Sequence, residues 1–283
     1  MAKGKALIIG LSRIDPVSYD TDGYLPGCEN DAATMQRIAT KLGYEVKTLL
    51  TEDATHDNVV NAIKQIADQL QPGDSFLLTY AGHGSQIPER ATDKPDEADG
   101  MDESWCLYDK QLVDDELNAL WPRFPERSWI YMVSDSCHSG TMSREVQEKQ
   151  ERALSAASQV VYRVRRLPRE TMNRAYLNRK SEYDRVQSTP VSDAEIKATV
   201  ILLSGCQDNQ TSKDDGKHGV FTRALEECYQ AGNFDRPDYS FADLDEDIRK
   251  RIPSNLNQVP SYTNLSNKPI LSVIALRKVF EIG

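Results

Sequence analysis

Two short stretches carry the residues able to do chemistry. In SFLLTYAGHGSQ (75 to 86) an apolar run ends in Gly82, His83 and Gly84, and in SWIYMVSDSCHSG (128 to 140) a second run ends in Asp135, Cys137, His138 and Gly140. A cysteine attacks a carbonyl only as thiolate, and its ordinary pKa of ~8.5 calls for a neighbouring imidazole at neutral pH. His83 is the first candidate for that base. His83 and Cys137 lie 54 residues apart, but both follow candidate parallel strands, and the exits of such strands line one edge of a sheet. Glycines on both sides of His83 free the backbone and leave room for a substrate chain. The amides of Gly84 and Cys137 are then candidate donors to the oxyanion formed on attack. His138 ranks second as a base, because a residue adjacent to the nucleophile points elsewhere in most backbone geometries. Taken singly, each motif has a structural alternative: a turn for Gly-His-Gly, core packing for the cysteine.

Other chemistries find less support. There is no Gly-x-Ser-x-Gly elbow for a serine hydrolase. The four histidines (His56, His83, His138, His218) show no His-Glu-x-x-His or other paired ligand spacing. Five widely spaced cysteines without a Cys-x-x-Cys pair suggest neither a disulfide framework nor a zinc cluster. A net charge of −10 argues against nucleic acid as the main partner and suits a cationic ligand better. No apolar run approaches the ~20 residues of a membrane span. The start, MAKGKALIIG, reads as a strand rather than a signal peptide, so a cytoplasmic location is expected.

The elements that must position these groups alternate along the chain. Strand candidates are KALIIG (5 to 10), YEVKTLL (44 to 50), SFLLTY (75 to 80), SWCLYD (104 to 109), SWIYMVS (128 to 134), ATVILLSG (198 to 205) and KPILSVIAL (268 to 276). Several are apolar on both faces, as in a buried parallel sheet. Helical spacing appears over 29 to 42, 57 to 70, 114 to 121, 219 to 231 and 240 to 252. This alternation predicts an α/β fold with a mostly parallel sheet. Residues 141 to 195 break the pattern. They are helical in propensity with a poor apolar stripe, and 141 to 190 hold 11 Lys or Arg against 6 Asp or Glu, so a solvated basic linker is expected.

The two motifs, YAGHGSQ and DSCHSG, together with LPGCENDAATM (25 to 35), DEADGMDESWCLYD (96 to 109), LVDDEL (112 to 117) and LLSGCQDNQTS (202 to 212), resemble the metacaspases and their prokaryotic relatives, the orthocaspases. The resemblance spans nearly the whole chain apart from 141 to 195. It implies a caspase-like three-layer sandwich with helices on both faces of a mostly parallel central sheet. One such domain would combine a p20-like region (1 to 140), the linker and a p10-like region (196 to 283). It implies His83 and Cys137 as a dyad, and Asp31 and Asp135 as the acidic pocket for the side chain before the scissile bond, with Asp208 a weaker third member. Cleavage after Arg or Lys of protein or peptide substrates follows, as does a monomeric state.

A carboxylate two residues before the nucleophile independently repels an acidic side chain and suits a guanidinium. For Asp31 the alternative is a helix cap. The family's calcium site matches Asp114 and Asp115, with Asp99 or Asp102 as a further ligand; the alternative is a solvated acidic loop. Two departures stand out. Ala81 replaces a frequent serine, and Arg144 stands near where some relatives carry an aspartate. If the enzyme cuts after basic residues, its own basic linker is a candidate first substrate, at Arg144, Lys149, Arg152, Arg163, Arg165, Arg166 or Arg169. The rival reading is a catalytically silent caspase-like binding or scaffold module.

Overall fold

The computed structural model describes residues 2–89, 101–137, 144–158, 160–188, 195–207, 210–266 and 277–283. In chain order its strands are β1 (Gly4–Gly10), β2 (Glu45–Leu50), β3 (Ser75–Ala81), β4 (Gly84–Pro88), β5 (Met101–Cys106), β6 (Gln111–Val113), β7 (Trp129–Asp135), β8 (Arg163–Val164), β9 (Thr199–Ser204), β10 (Lys213–Asp214) and β11 (Ser261–Asn264). Its helices are α1 (Pro16–Tyr19), α2 (Cys28–Lys41), α3 (His56–Gln69), α4 (Asp114–Asn118), α5 (Arg144–Ser158), α6 (Arg169–Asn178), α7 (Lys180–Ser188), α8 (Val220–Gln230) and α9 (Phe241–Arg251).

Among the described residues six strands form the central sheet in the order β11-β9-β7-β3-β1-β2. All neighbours are parallel except β11, which runs antiparallel to β9. The period of two along each strand divides the core into two layers. Ala6, Ile8, Leu77, Tyr131 and Val133 pack under α2, α8 and α9. Leu7, Ile9, Phe76, Leu78 and Met132 pack under α3 and beneath Trp105 and Leu112 of the small β4-β5-β6 sheet. Helices on both faces of a mostly parallel sheet are what the alternating sequence predicts. Local signals set the helix ends: the Thr55 hydroxyl accepts from the Asn58 amide at the start of α3, and Ser240 with Asp243 forms a capping box on α9. Among the described residues no helix is long and apolar enough to cross a membrane.

Two elements differ from expectation. Of SWCLYD only residues 104 to 106 are strand, and they belong to the small antiparallel sheet. The chain leaves the central sheet at Ala81 and returns as the hairpin partner of β4; Trp105 stacks on Tyr80 at 4.5 Å between centroids, laying this sheet over the main one. The expected linker does hold helices (α5, α6, α7), but Val164, Arg165, Arg166 and Leu167 are all buried. KPILSVIAL lies wholly outside the described residues.

Candidate active site

The register of the sheet juxtaposes the two motifs. Strands β3 and β7 are parallel neighbours, with Ala81 opposite Asp135. His83 and Cys137 each follow two residues beyond that pair, so both emerge on the same carboxyl edge. Gly84 passes directly over this exit: a Cβ there would fall 1.9 Å from the Cys137 carbonyl oxygen, so only glycine fits. The His83 Nε2–H donates to the Gly23 carbonyl (2.9 Å). That tautomer leaves Nδ1 as the acceptor, and Nδ1 is buried with no hydrogen-bond partner. The Cys137 thiol donates to the Ser212 carbonyl (3.3 Å) and its sulfur accepts from the Ser212 amide. Thiol and imidazole therefore share one edge without bonding each other.

The linker occupies the cleft in front of them. Strand β8 pairs antiparallel with β10, Val164 opposite Lys213 and Arg163 opposite Asp214. The Arg165 amide donates to the Ser212 carbonyl (3.0 Å). The Arg165 carbonyl in turn accepts from both the Gly84 amide (3.0 Å) and the Cys137 amide (3.1 Å). These are the two amides picked out from sequence as oxyanion donors.

The Arg165 side chain is fully buried. Its guanidinium pairs with Asp135 (3.1 Å), Asp214 (2.9 Å) and Asp31. Each carboxylate is fixed by further donors. Asp135 accepts from the Ser212 hydroxyl (2.5 Å) and from the Thr222 hydroxyl (2.6 Å) and amide (3.1 Å). Asp31 accepts from the Gly219 amide (2.9 Å) and pairs with His218 Nδ1 (3.0 Å). Its side chain thus reaches across to another segment rather than capping its own helix. Asp214 accepts from the Gly27 (3.1 Å) and Gly216 (2.8 Å) amides. Gly219 keeps the slot open, since a Cβ there would lie 2.1 Å from the Asp135 carboxylate.

Asp214 was not read from sequence. The only signal was its place in SKDDGKHG, a loop after the exit of β9 on the same sheet edge. Asp208, His138 and Asp99 lie outside the described residues, and so does the side chain of Arg144. Of the other linker candidates, Lys149 and Arg152 are exposed on α5, Arg169 is exposed at the start of α6, Arg163 is partly exposed, and Arg166 is buried next to Arg165.

Among the described residues the acidic groups further off do not assemble a cation site. Asp114 has one buried oxygen without a partner; burial, then Asp115, Asp102 and Glu103, pushes its carboxyl up to about 8. Asp102 accepts from Gln187 (2.6 Å). Calcium takes roughly six to eight oxygens, and among the described residues no group of three His, Cys, Asp or Glu could hold a metal ion. The described residues alone do not supply a calcium shell, and Asp99, the further candidate ligand, lies outside them.

Burial lowers the His83 ring to about 4, against the opposing pull of the Gly23 carbonyl. Burial likewise raises Asp31 to about 6, held from rising further by Arg165 and His218, so Asp31 is still ionised at neutral pH. For His83 the folded value lies below the unfolded one of ~6.5. Its contribution to stability is therefore complete above that pH and is lost as pH falls toward 4, in total about 3 kcal/mol. Asp31 has the opposite sign, since a raised carboxyl favours the folded state at low pH. Thermal melts of wild type and His83→Gln isolate the histidine: the advantage of wild type at pH 7 is expected to shrink by pH 4. Parallel curves would show that His83 is not buried neutral.

An imidazole, a thiol and two convergent amides at the carboxyl edge of a parallel sheet, beside a slot lined by carboxylates, define a caspase-type cleft. Comparison with known proteins agrees. The caspase domain family model matches residues 3–271, and the chain belongs to that family. Metacaspase-1 of Schizosaccharomyces pombe is 28% identical over 297 residues, covering 91% of this chain and 66% of the relative. Metacaspase-1 of Mycosarcoma maydis is 28% identical, covering 95% and 71%. The chain thus spans about two thirds of the length of these curated relatives. A crystal structure of protein GSU0716 from Geobacter sulfurreducens superposes with a TM-score of 0.81 at 36% identity, covering 99% of each chain.

Proposed function

We propose that the protein is a cysteine endopeptidase that cuts after arginine, and less readily after lysine, through Cys137 and His83, and that its first substrate is its own Arg165–Arg166 bond. The observation that carries this reading is the posture of Arg165: carbonyl on two amides beside a thiol, guanidinium among three carboxylates. A planar guanidinium meets Asp135 through one nitrogen and Asp31 with Asp214 through another; a lysine ammonium has a single nitrogen to offer. Candidate sites on helices α5 and α6 would have to unwind first, whereas 163 to 167 is already extended at the thiol.

The steps follow from the placement. The Cys137 proton passes to His83 Nδ1 as the sulfur bonds to the Arg165 carbonyl carbon, and the resulting oxyanion stays on the Gly84 and Cys137 amides. The C–N bond then breaks, and His83 returns the proton to the Arg166 nitrogen. Water hydrolyses the thioester, regenerating the thiol and leaving a carboxylate on Arg165. A cavity of about 560 Å³ beside His83, lined in part by Gly23, Tyr24 and Arg166, gives the departing segment room.

Fluorogenic arginyl, lysyl and aspartyl peptides test the reading. Arginyl peptides are expected to be cut fastest and aspartyl ones not at all. Asp135→Asn is expected to lower kcat/KM for arginyl peptides about a hundredfold or more, because one guanidinium nitrogen loses its carboxylate in a buried slot while the other keeps Asp31 and Asp214. Cleavage after aspartate that survives this substitution would overturn the pocket assignment. Covalent labelling of Cys137 by an arginyl chloromethylketone separates the enzyme from the silent scaffold, which would remain unlabelled.

A further inference from the structure

The segment lying in the cleft carries more information than its arginine. Strand geometry sends successive side chains to opposite sides. Arg165 enters the acidic slot and Arg163 is partly exposed, its guanidinium 5.7 Å from the Tyr24 ring. Val164 points the other way and is 1% exposed. It forms a small apolar cluster with Cys137 and Cys206, distinct from the two main core layers.

Cys206 is not free to retreat. It follows β9, its carbonyl accepts from the Ser204 hydroxyl (2.9 Å), and its thiol donates to the Ser136 carbonyl (3.5 Å). The backbone on which it leans is that of the residue preceding the nucleophile. Both walls around Val164 thus belong to the strand exits of the catalytic core and not to the linker. They persist for any peptide that replaces the linker. The Val164 amide, by contrast, donates to the Glu151 carboxylate (2.8 Å) on α5 of the linker itself, so that bond is lost to an incoming peptide.

Resting on the arginine-directed reading above, we propose that the cleft also selects the residue before the arginine, accepting a small branched apolar side chain and rejecting bulky or acidic ones, with Cys206 as the wall that sets the size. A close-packed site tolerates little added volume, and a carboxylate there would be desolvated beside two thiols, the nearby Lys213 ammonium already donating to the Thr211 carbonyl. The preferred substrate class is then a protein with an extended, exposed Val-Arg or closely similar pair.

Internally quenched peptides that copy Tyr162–Arg169, with Val, Phe or Asp at the position of Val164, test this with the full chain, cut positions being read by mass spectrometry. For wild type, kcat/KM is expected to fall about tenfold or more from Val to Phe and further to Asp. Cys206→Ala is expected to raise the Phe-to-Val ratio about tenfold, whatever it does to the absolute rates. Cleavage after arginine at equal rates for Val, Phe and Asp would overturn the size selection while leaving the arginine reading intact. So would a Phe-to-Val ratio unmoved by Cys206→Ala. If no peptide is cut and Arg165–Arg166 stays whole, the arginine reading fails and this inference falls with it.

Discussion

Cys137→Ala is expected to leave the purified chain as a single 283-residue species under conditions where wild type separates into fragments 1–165 and 166–283. Hydrolysis of arginyl peptides should fall by on the order of 10⁴-fold or more, since Cys137 is the group that would form the thioester. The remaining cysteines are placed elsewhere: Cys106 and Cys228 pack in the two core layers, Cys28 packs with Leu25 and Ala81, and the Cys206 thiol donates to the Ser136 carbonyl. Intact-mass measurement over time reads the result directly. Identical fragments from wild type and Cys137→Ala would mean that a contaminating protease makes the cut. The position of the cut is itself informative, because a new C-terminus at Lys149 or Arg152 would require α5 to open before Arg165 leaves its slot.

Arg165→Ala should have the largest effect on stability and an opposite effect on activity. Three buried carboxylates, Asp31, Asp135 and Asp214, would lose their shared cation. Removing one partner from a buried ion pair costs about 3–5 kcal/mol, which for a chain of this length lowers Tm by roughly 6–20 °C. Arg165→Lys should lose less, as one charge remains without the forked geometry. With the slot vacated, arginyl peptides no longer compete with a tethered side chain, so their KM should fall in the uncut chain. An unchanged Tm together with an unchanged KM would show that Arg165 does not occupy the cleft in solution. The acid side of the stability profile should move as well: without Arg165 the Asp31 carboxyl is pushed higher than its value of about 6 in wild type, so the deficit shrinks as pH falls toward 6, where only the variant takes up the proton.

Much of the architecture is legible because short-range patterns carry it. Apolar runs bounded by glycine, proline or capping residues mark β1, β3, β7 and β9, and the 3.6-residue spacing marks α2, α3, α8 and α9. The place of β5 outside the central sheet is not legible, because a four-residue apolar run looks the same in either sheet; pairing partners are not encoded locally. His83 and Cys137 are readable because glycines and strand ends flank them, a signature contained within a dozen residues each.

Composition and local pattern by themselves determined a parallel α/β sheet whose carboxyl edge carries an imidazole, a thiol and a carboxylate. Only the tertiary structure decided what fills that edge. Residues 163 to 167 look like solvated linker from sequence, because an arginine pair between helices has no apolar reason to be buried. Its burial is stabilised by Asp31, 134 positions earlier, and by Asp135 and Asp214. Compensation between charges so distant along the chain leaves no trace in the neighbourhood of any one of them, and emerges only when the fold closes all four groups into one dry slot.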